Sequence, residues 1–135
     1  MPIQYTIIES KKLVYAVGSG VLTLPDLLRH IEELAADPRY KAPMKKIVDY
    51  RNAIMQKLTM KEADIFTHKK ASLKKTFLRE KCAIVTNKDV DFGMSRAHGA
   101  KIEGEDIDTR IFRDMNKALD WLDIQVENDE LLIKN

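Results

Sequence analysis

Lys81-Cys82-Ala83-Ile84-Val85-Thr86 is the stretch that decides the fold class. Cys82 to Val85 are all apolar, so this run offers solvent no polar face. A strand apolar on both sides is covered on both sides, which is the setting of a central parallel strand in an α/β protein. The neighbouring segments agree. Met44 to Tyr50 upstream and Thr109 to Phe112 downstream are also strand-like. Helical stretches separate them from the central run. Thr59, with Glu62 at the capping-box position, opens a helix that is expected to reach about Leu78. A further helix is expected from Phe92 to about Ala100, with Gly99 and Gly104 bracketing its end. Strands separated by helices imply parallel neighbours joined by right-handed crossovers.

Further out, Ile3 to Glu9 alternates, with Ile3, Tyr5 and Ile7 on one face and Gln4 and Thr6 on the other. That period of two marks a half-exposed strand. After the polar break Glu9-Ser10-Lys11-Lys12, Leu13 to Val17 forms a second strand, which Gly18-Ser19-Gly20 is expected to end. The short gap predicts an antiparallel hairpin. Thr23 then caps a helix, with Asp26 as capping-box partner and Pro25 in the first turn. Leu24, Leu27, Leu28, Ile31, Leu34 and Ala35 make its apolar stripe, and Asp37-Pro38 stops it. Met115 to Leu122 is the last helix, turning Met115, Ala118, Leu119 and Leu122 inward. The expected architecture is α/β: a single domain with a mixed, mostly parallel sheet of about five strands flanked by helices. The domain covers 1–123, and 124–135 form a C-terminal tail whose Leu131-Leu132-Ile133 is apolar enough to dock.

The 135 residues fit one domain. Hydrophobic residues are 44% and charged ones 33%, a globular rather than disordered composition. Lys+Arg 23 against Asp+Glu 21 is too near balance to argue for nucleic acid. A lone cysteine, Cys82, makes no intramolecular disulfide. No apolar run approaches the ~20 residues of a membrane span, and the start lacks the pattern of a signal peptide. A cytoplasmic location is the expectation.

Asp49 and Arg51 stand two apart at the expected end of a strand and so point to one face. In α/β folds, ligands and partners meet the protein at strand ends. Arg51 offers a planar fork for a carboxylate or phosphate, and Asp49 orients that fork or acts as an acceptor. The plainer reading is that the two groups tie the strand end to loop backbone or to each other. Phe92-Gly93-Met94-Ser95-Arg96 opens the helix after the central strand. Gly93 there permits close approach, and Arg96 adds charge to the helix N-terminus. The plainer reading makes Phe92 a core plug, Gly93 a packing residue and Arg96 a solvated one. No phosphate-loop pattern is present.

Lys69-Lys70 and Lys74-Lys75 form a basic stretch on the second helix, partly offset by Glu62, Asp64 and Glu80. It reads as a solvated face or as a contact for an anionic membrane or an acidic partner. Lys70, however, falls in the apolar stripe of Phe66, Leu73 and Phe77. His30 lies off the apolar stripe of its helix and is expected to be exposed. His30, His68 and His98 are scattered, and nothing has metal-ligand spacing. Cys82 reads as a small buried hydrophobe. Trp121 is expected to close the core. Ser19 lacks the nucleophile-elbow pattern.

Several segments in order resemble the SpoIIAA-like proteins, relatives of the STAS and CRAL-TRIO domains. They are Gly20 followed by Thr23-Leu24-Pro25-Asp26-Leu27-Leu28; Ile47-Val48-Asp49-Tyr50-Arg51; Ala83-Ile84-Val85; Phe92-Gly93-Met94-Ser95-Arg96; and Ile111-Phe112 followed by Ala118, Trp121 and Leu122. The resemblance implies a mixed sheet flanked by helices, built as in the anti-sigma factor antagonists. Those antagonists are phosphorylated on a serine at the start of the second main helix. This chain has Leu58-Thr59-Met60-Lys61 there, so the motif is missing. Thr59 is the hydroxyl left for a regulatory role, and its capping role already explains it. The resemblance hands over no activity, catalytic residue, metal or cofactor.

The expected function is a non-enzymatic regulatory or protein-binding module, with a homodimer left open. It would act at the strand C-terminal ends through Asp49, Arg51, Gly93 and Arg96. The alternative is a binder of a small anionic ligand or lipid. Third comes a small enzyme with Asp49 or His98 as base. No nucleic-acid partner is expected.

Overall fold

A computed structural model describes residues 2–87 and 107–126. Its five strands are β1 (Ile3–Ile8), β2 (Leu13–Val21), β3 (Lys45–Ile54), β4 (Lys81–Val85) and β5 (Asp108–Phe112). The helices are α1 (Leu24–Ala36), α2 (Met60–Ser72) and α3 (Met115–Leu122). The expected helix from Phe92 lies outside the described residues, with Gly93 and Arg96.

The sheet runs in the order β1-β2-β3-β4-β5. β1 and β2 pair antiparallel, and every later neighbour pairs parallel. β4 has a parallel partner on each side, as its unbroken apolar run requires. On one face of the sheet, α1 and α2 enclose two apolar clusters. One gathers Ala16, Leu22, Leu27, Val48, Tyr50 and Cys82; the other gathers Val14, Ile31, Leu34, Tyr40 and Phe77. The opposite face packs Leu13, Tyr15, Ile47, Ala83 and Val85 against Ala118 and Leu122 of α3. Ile124 and Val126 add to that cluster after α3 ends.

The capping boxes form as their spacing dictates. The Thr23 hydroxyl accepts from the Asp26 N–H while the Thr23 N–H donates to the Asp26 carboxylate, and Thr59 and Glu62 do the same on α2. Asp114 caps α3 by accepting from the Asn116 and Lys117 N–H groups.

Three boundaries differ from expectation. β2 does not stop at Gly18 but continues to Val21, and β3 continues to Ile54. Gly18 is a packing residue, not a terminator: a Cβ there would meet Tyr50 Cδ1 at 2.7 Å and Cε1 at 2.9 Å. α2 ends at Ser72 rather than near Leu78. Tight bonds from Leu73 to Lys70, Lys74 to Ala71 and Thr76 to Leu73 replace the helical ladder. They still deliver Phe77 to the core, where it is fully buried.

Candidate functional site

The extension of β3 changes the setting of Asp49 and Arg51. Asp49 is not at the end of its own strand; it pairs with Val85, where β4 ends. On the other side the β2–β3 register slips. Val17 faces Asp49 but Ser19 faces Asn52, so Gly18 stands opposite both Tyr50 and Arg51. This is a bulge, a device that bends a strand and re-aims a side chain. The Asp49 carboxylate takes up what the bulge releases. Its Oδ1 accepts from the Arg51 backbone N–H and from Nε, both at 3.0 Å, and its Oδ2 accepts from Nη2 at 2.8 Å. The Asp49 side chain is 11% exposed and that of Arg51 41%. The structure therefore brings the two residues together on one face, in a closed bidentate grip. What reaches the surface is a guanidinium whose orientation is fixed from beneath.

Thr59 sits at the N-terminus of α2 with its hydroxyl engaged in the capping box. Ser19 is exposed in β2, and its backbone N–H donates to the Pro2 carbonyl.

The basic stretch of α2 does not form one cationic face. Lys69 pairs with Glu32 at 3.4 Å, and His68 Nδ1 lies 2.7 Å from the Asp64 carbonyl. Lys70 points inward and donates to the Glu80 carboxylate at 2.6 Å, with Glu80 0% exposed. Tyr40 donates its hydroxyl to the other Glu80 oxygen at 3.4 Å. His30 is a correction: it is buried, not exposed, and its Nε2 lies 2.7 Å from the buried Lys46 ammonium. Lys46 enters the layer between Val14 and Cys82, its register partners on β2 and β4.

The electrostatics of this cluster follow from burial. Desolvation and the charges of Lys46 and Lys70 hold the His30 pKa well below its ordinary value. His30 is thus neutral, accepts from Lys46 at Nε2 and carries its proton on Nδ1, which has no partner among the described residues. Burial also lowers the Lys46 pKa against the pull of Glu80. Burial works against Lys70 too, but the adjacent Glu80 outweighs it and raises its pKa. Burial pushes the Cys82 thiol up, so it is the inert hydrophobe its position suggests.

Sequence reading missed this buried group. Its signal lay in the periodicities. Lys46 alternates with Met44, Val48 and Tyr50 on the inward side of β3, and Lys70 sits in an apolar helical stripe. Trp121 is a smaller correction: it is half-buried, with its ring 5.6 Å from Phe112 and covered by Lys81 and Arg110 at 4.4 and 5.1 Å. It closes an edge rather than a centre.

No group of three His, Cys, Asp or Glu residues among the described residues is arranged to hold a metal ion. No described helix is long and apolar enough to cross a membrane.

Among solved structures, the chain is similar to an uncharacterised protein of the DUF3478 family from Shewanella loihica PV-4, which has a SpoIIAA-like fold. The match has a TM-score of 0.60 and covers 89% of this chain and 93% of that one. The fold is SpoIIAA-like. At 22% identity, the likeness is one of architecture. No protein-family model and no curated protein matches the chain. Within the SpoIIAA-like sheet, the Asp49–Arg51 pair occupies the middle strand, β3, at the register where β4 stops.

Proposed function

We propose that this protein is a non-enzymatic binding module that engages a protein partner through the face around Arg51. The observation that supports this is the triple acceptance of Arg51 by Asp49. A carboxylate committed to three donors is poorly placed to act as a base or nucleophile. A guanidinium held rigid and still part-exposed is suited to recognition, because little side-chain freedom is lost when it binds. Arginine is also among the residues that dominate interface energetics, through bidentate contact with carboxylates. The partner carries an acidic group at the matching position and includes, as one case, a second copy of this chain. Gly93 and Arg96 belong to this proposal from sequence alone. Thr59 has a smaller part: its hydroxyl caps α2, and a regulatory role would require it to leave that cap.

The test is paired capture with wild type and Arg51→Ala as baits, together with sedimentation velocity of each protein alone. A partner or self-assembly present with wild type and absent with Arg51→Ala supports the reading. Identical retention and sedimentation by both proteins overturns it.

A further inference from the structure

At the opposite end of the sheet, where β2, β3 and β4 begin, lies a groove of ≈ 440 Å³. It is bounded by the turn before β2, the entry to β3 and the turn before β4. Lys11, Lys12, Lys45, Arg79 and Lys81 line it, and Ser10 adds a hydroxyl. No lining residue is acidic. In a chain of 23 cations and 21 anions, that segregation is local and not a consequence of net charge. The volume is that of a small-molecule site.

The cations are arranged in two ways. Lys45 and Lys81 donate to the Leu122 and Trp121 carbonyls at the C-terminal end of α3, Lys81 also lying over the Trp121 ring, and Lys11 donates to the Gln125 carbonyl just beyond. Carbonyls orient these three ammonium groups without neutralising them, and each ammonium has further donors. Lys12 and Arg79 enter no salt bridge among the described residues. Both are exposed and both hold left-handed backbone, with φ of 48° and 59°. Glycine is the residue suited to that conformation. The two turns place a long exposed cation on each side of one groove, where both can approach a single multiply charged anion.

We infer that this groove binds the phosphoryl group of a small organic phosphate, with Arg79 as the fork and Lys12, Lys45 and Lys81 as the surrounding charges. Pro43, exposed on the groove's wall, offers apolar surface to the ligand's body, with the buried Met44 as floor beneath it. The proposal stands apart from the Arg51 face and does not depend on it. Leu78, beside Arg79, is 47% exposed. A lipid headgroup is therefore a second source of the same phosphoryl chemistry.

The experiment is a titration of the full chain with sodium pyrophosphate at low ionic strength, followed by amide NMR shifts. Wild type is compared with Lys12→Gly, Arg79→Gly and the double variant, with Lys61→Ala on α2 as control. Glycine suits both backbone conformations, so these variants keep the fold, and the spectra verify it. Saturable shifts in residues 10–12, 43–45 and 79–81 are expected. Each glycine variant should weaken binding roughly tenfold, the scale of one charge-assisted hydrogen bond. Lys61→Ala should leave binding unchanged, and added salt should weaken it. Pelleting with phosphatidic-acid vesicles, dependent on Arg79, would assign the phosphoryl group to a lipid; pyrophosphate binding without pelleting assigns it to a soluble ligand. Absence of saturable shifts, or equal affinity in the double variant, overturns the inference.

Discussion

Replacing Glu80 by glutamine keeps its shape and removes one buried charge. In the native protein Glu80 is 0% exposed, with Lys70 Nζ at 2.6 Å and the Tyr40 hydroxyl at 3.4 Å. It is the acid that offsets both Lys70 and Lys46. Without it, burial and mutual repulsion act on the two lysines with no acidic partner to offset them, and only the neutral His30 still accepts from Lys46. The folded variant must then keep an unpaired ammonium or release its proton. Release near pH 7 from a group of ordinary pKa 10.5 costs about 4.8 kcal/mol, being 3.5 units at 1.36 kcal/mol each. That ceiling agrees with the about 3–5 kcal/mol lost when one partner of a buried pair is removed. The pH dependence follows. The unfolded variant holds its lysine proton up to 10.5. The folded variant releases it at lower pH, so the unfolded state binds more protons and the variant gains stability as pH rises. The gain approaches about 1.4 kcal/mol per unit. In wild type the raised Lys70 pKa keeps both states protonated over the same range, and its contribution fades only as pH climbs past 10.5. Urea unfolding of both proteins at several pH values should show a large gap near neutrality that narrows in alkali. Replacing both partners, Glu80→Leu with Lys70→Met, removes an attraction and a repulsion on Lys46 together. It should lie within about 1.5 kcal/mol of wild type. A Glu80→Gln loss below about 1 kcal/mol, or a gap indifferent to pH, would refute the reasoning.

Two further outcomes concern the same layer. Gly18→Ala drives a methyl into the Tyr50 ring, which is itself buried, and should cost about 1–3 kcal/mol in thermal or urea unfolding. His30 has its folded pKa lowered, so below 6.5 the unfolded state takes a proton that the folded state refuses. Stability should therefore fall as pH drops from 6.5, by up to about 1.4 kcal/mol per unit. His30→Gln, which retains an acceptor for Lys46, should lack that slope between about pH 6.5 and 5.

The parts of this fold legible in the sequence are those set by neighbours in the chain. Cys82 to Val85 announced a covered parallel strand. Thr23 with Asp26, and Thr59 with Glu62, marked helix starts correctly, because a capping box is chemistry within four residues. What was not legible depends on partners distant in sequence. Gly18 reads as a strand stop until Tyr50 is seen lying over it. Lys70 falls in an apolar stripe with no evident partner until Glu80 arrives from the turn beyond α2, and His30 reads as surface until Lys46 arrives from β3. The five groove cations belong to three separate segments, and only the sheet brings those segments together. Asp49 and Arg51 were legible as a pair on one face. The slip opposite Gly18 was not, since it is a property of the β2–β3 register.

The most direct test of the binding-module reading is the dissociation constant of a recovered complex, measured by calorimetry with wild type, Arg51→Ala and Arg51→Lys. Loss of an interface anchor is worth about 2 kcal/mol or more, so Arg51→Ala should weaken binding roughly thirtyfold. Arg51→Lys should recover only part of it, because an ammonium cannot reproduce the fork held by Asp49. Equal affinity across all three proteins, each folded, would contradict the account and remove Arg51 from the interface.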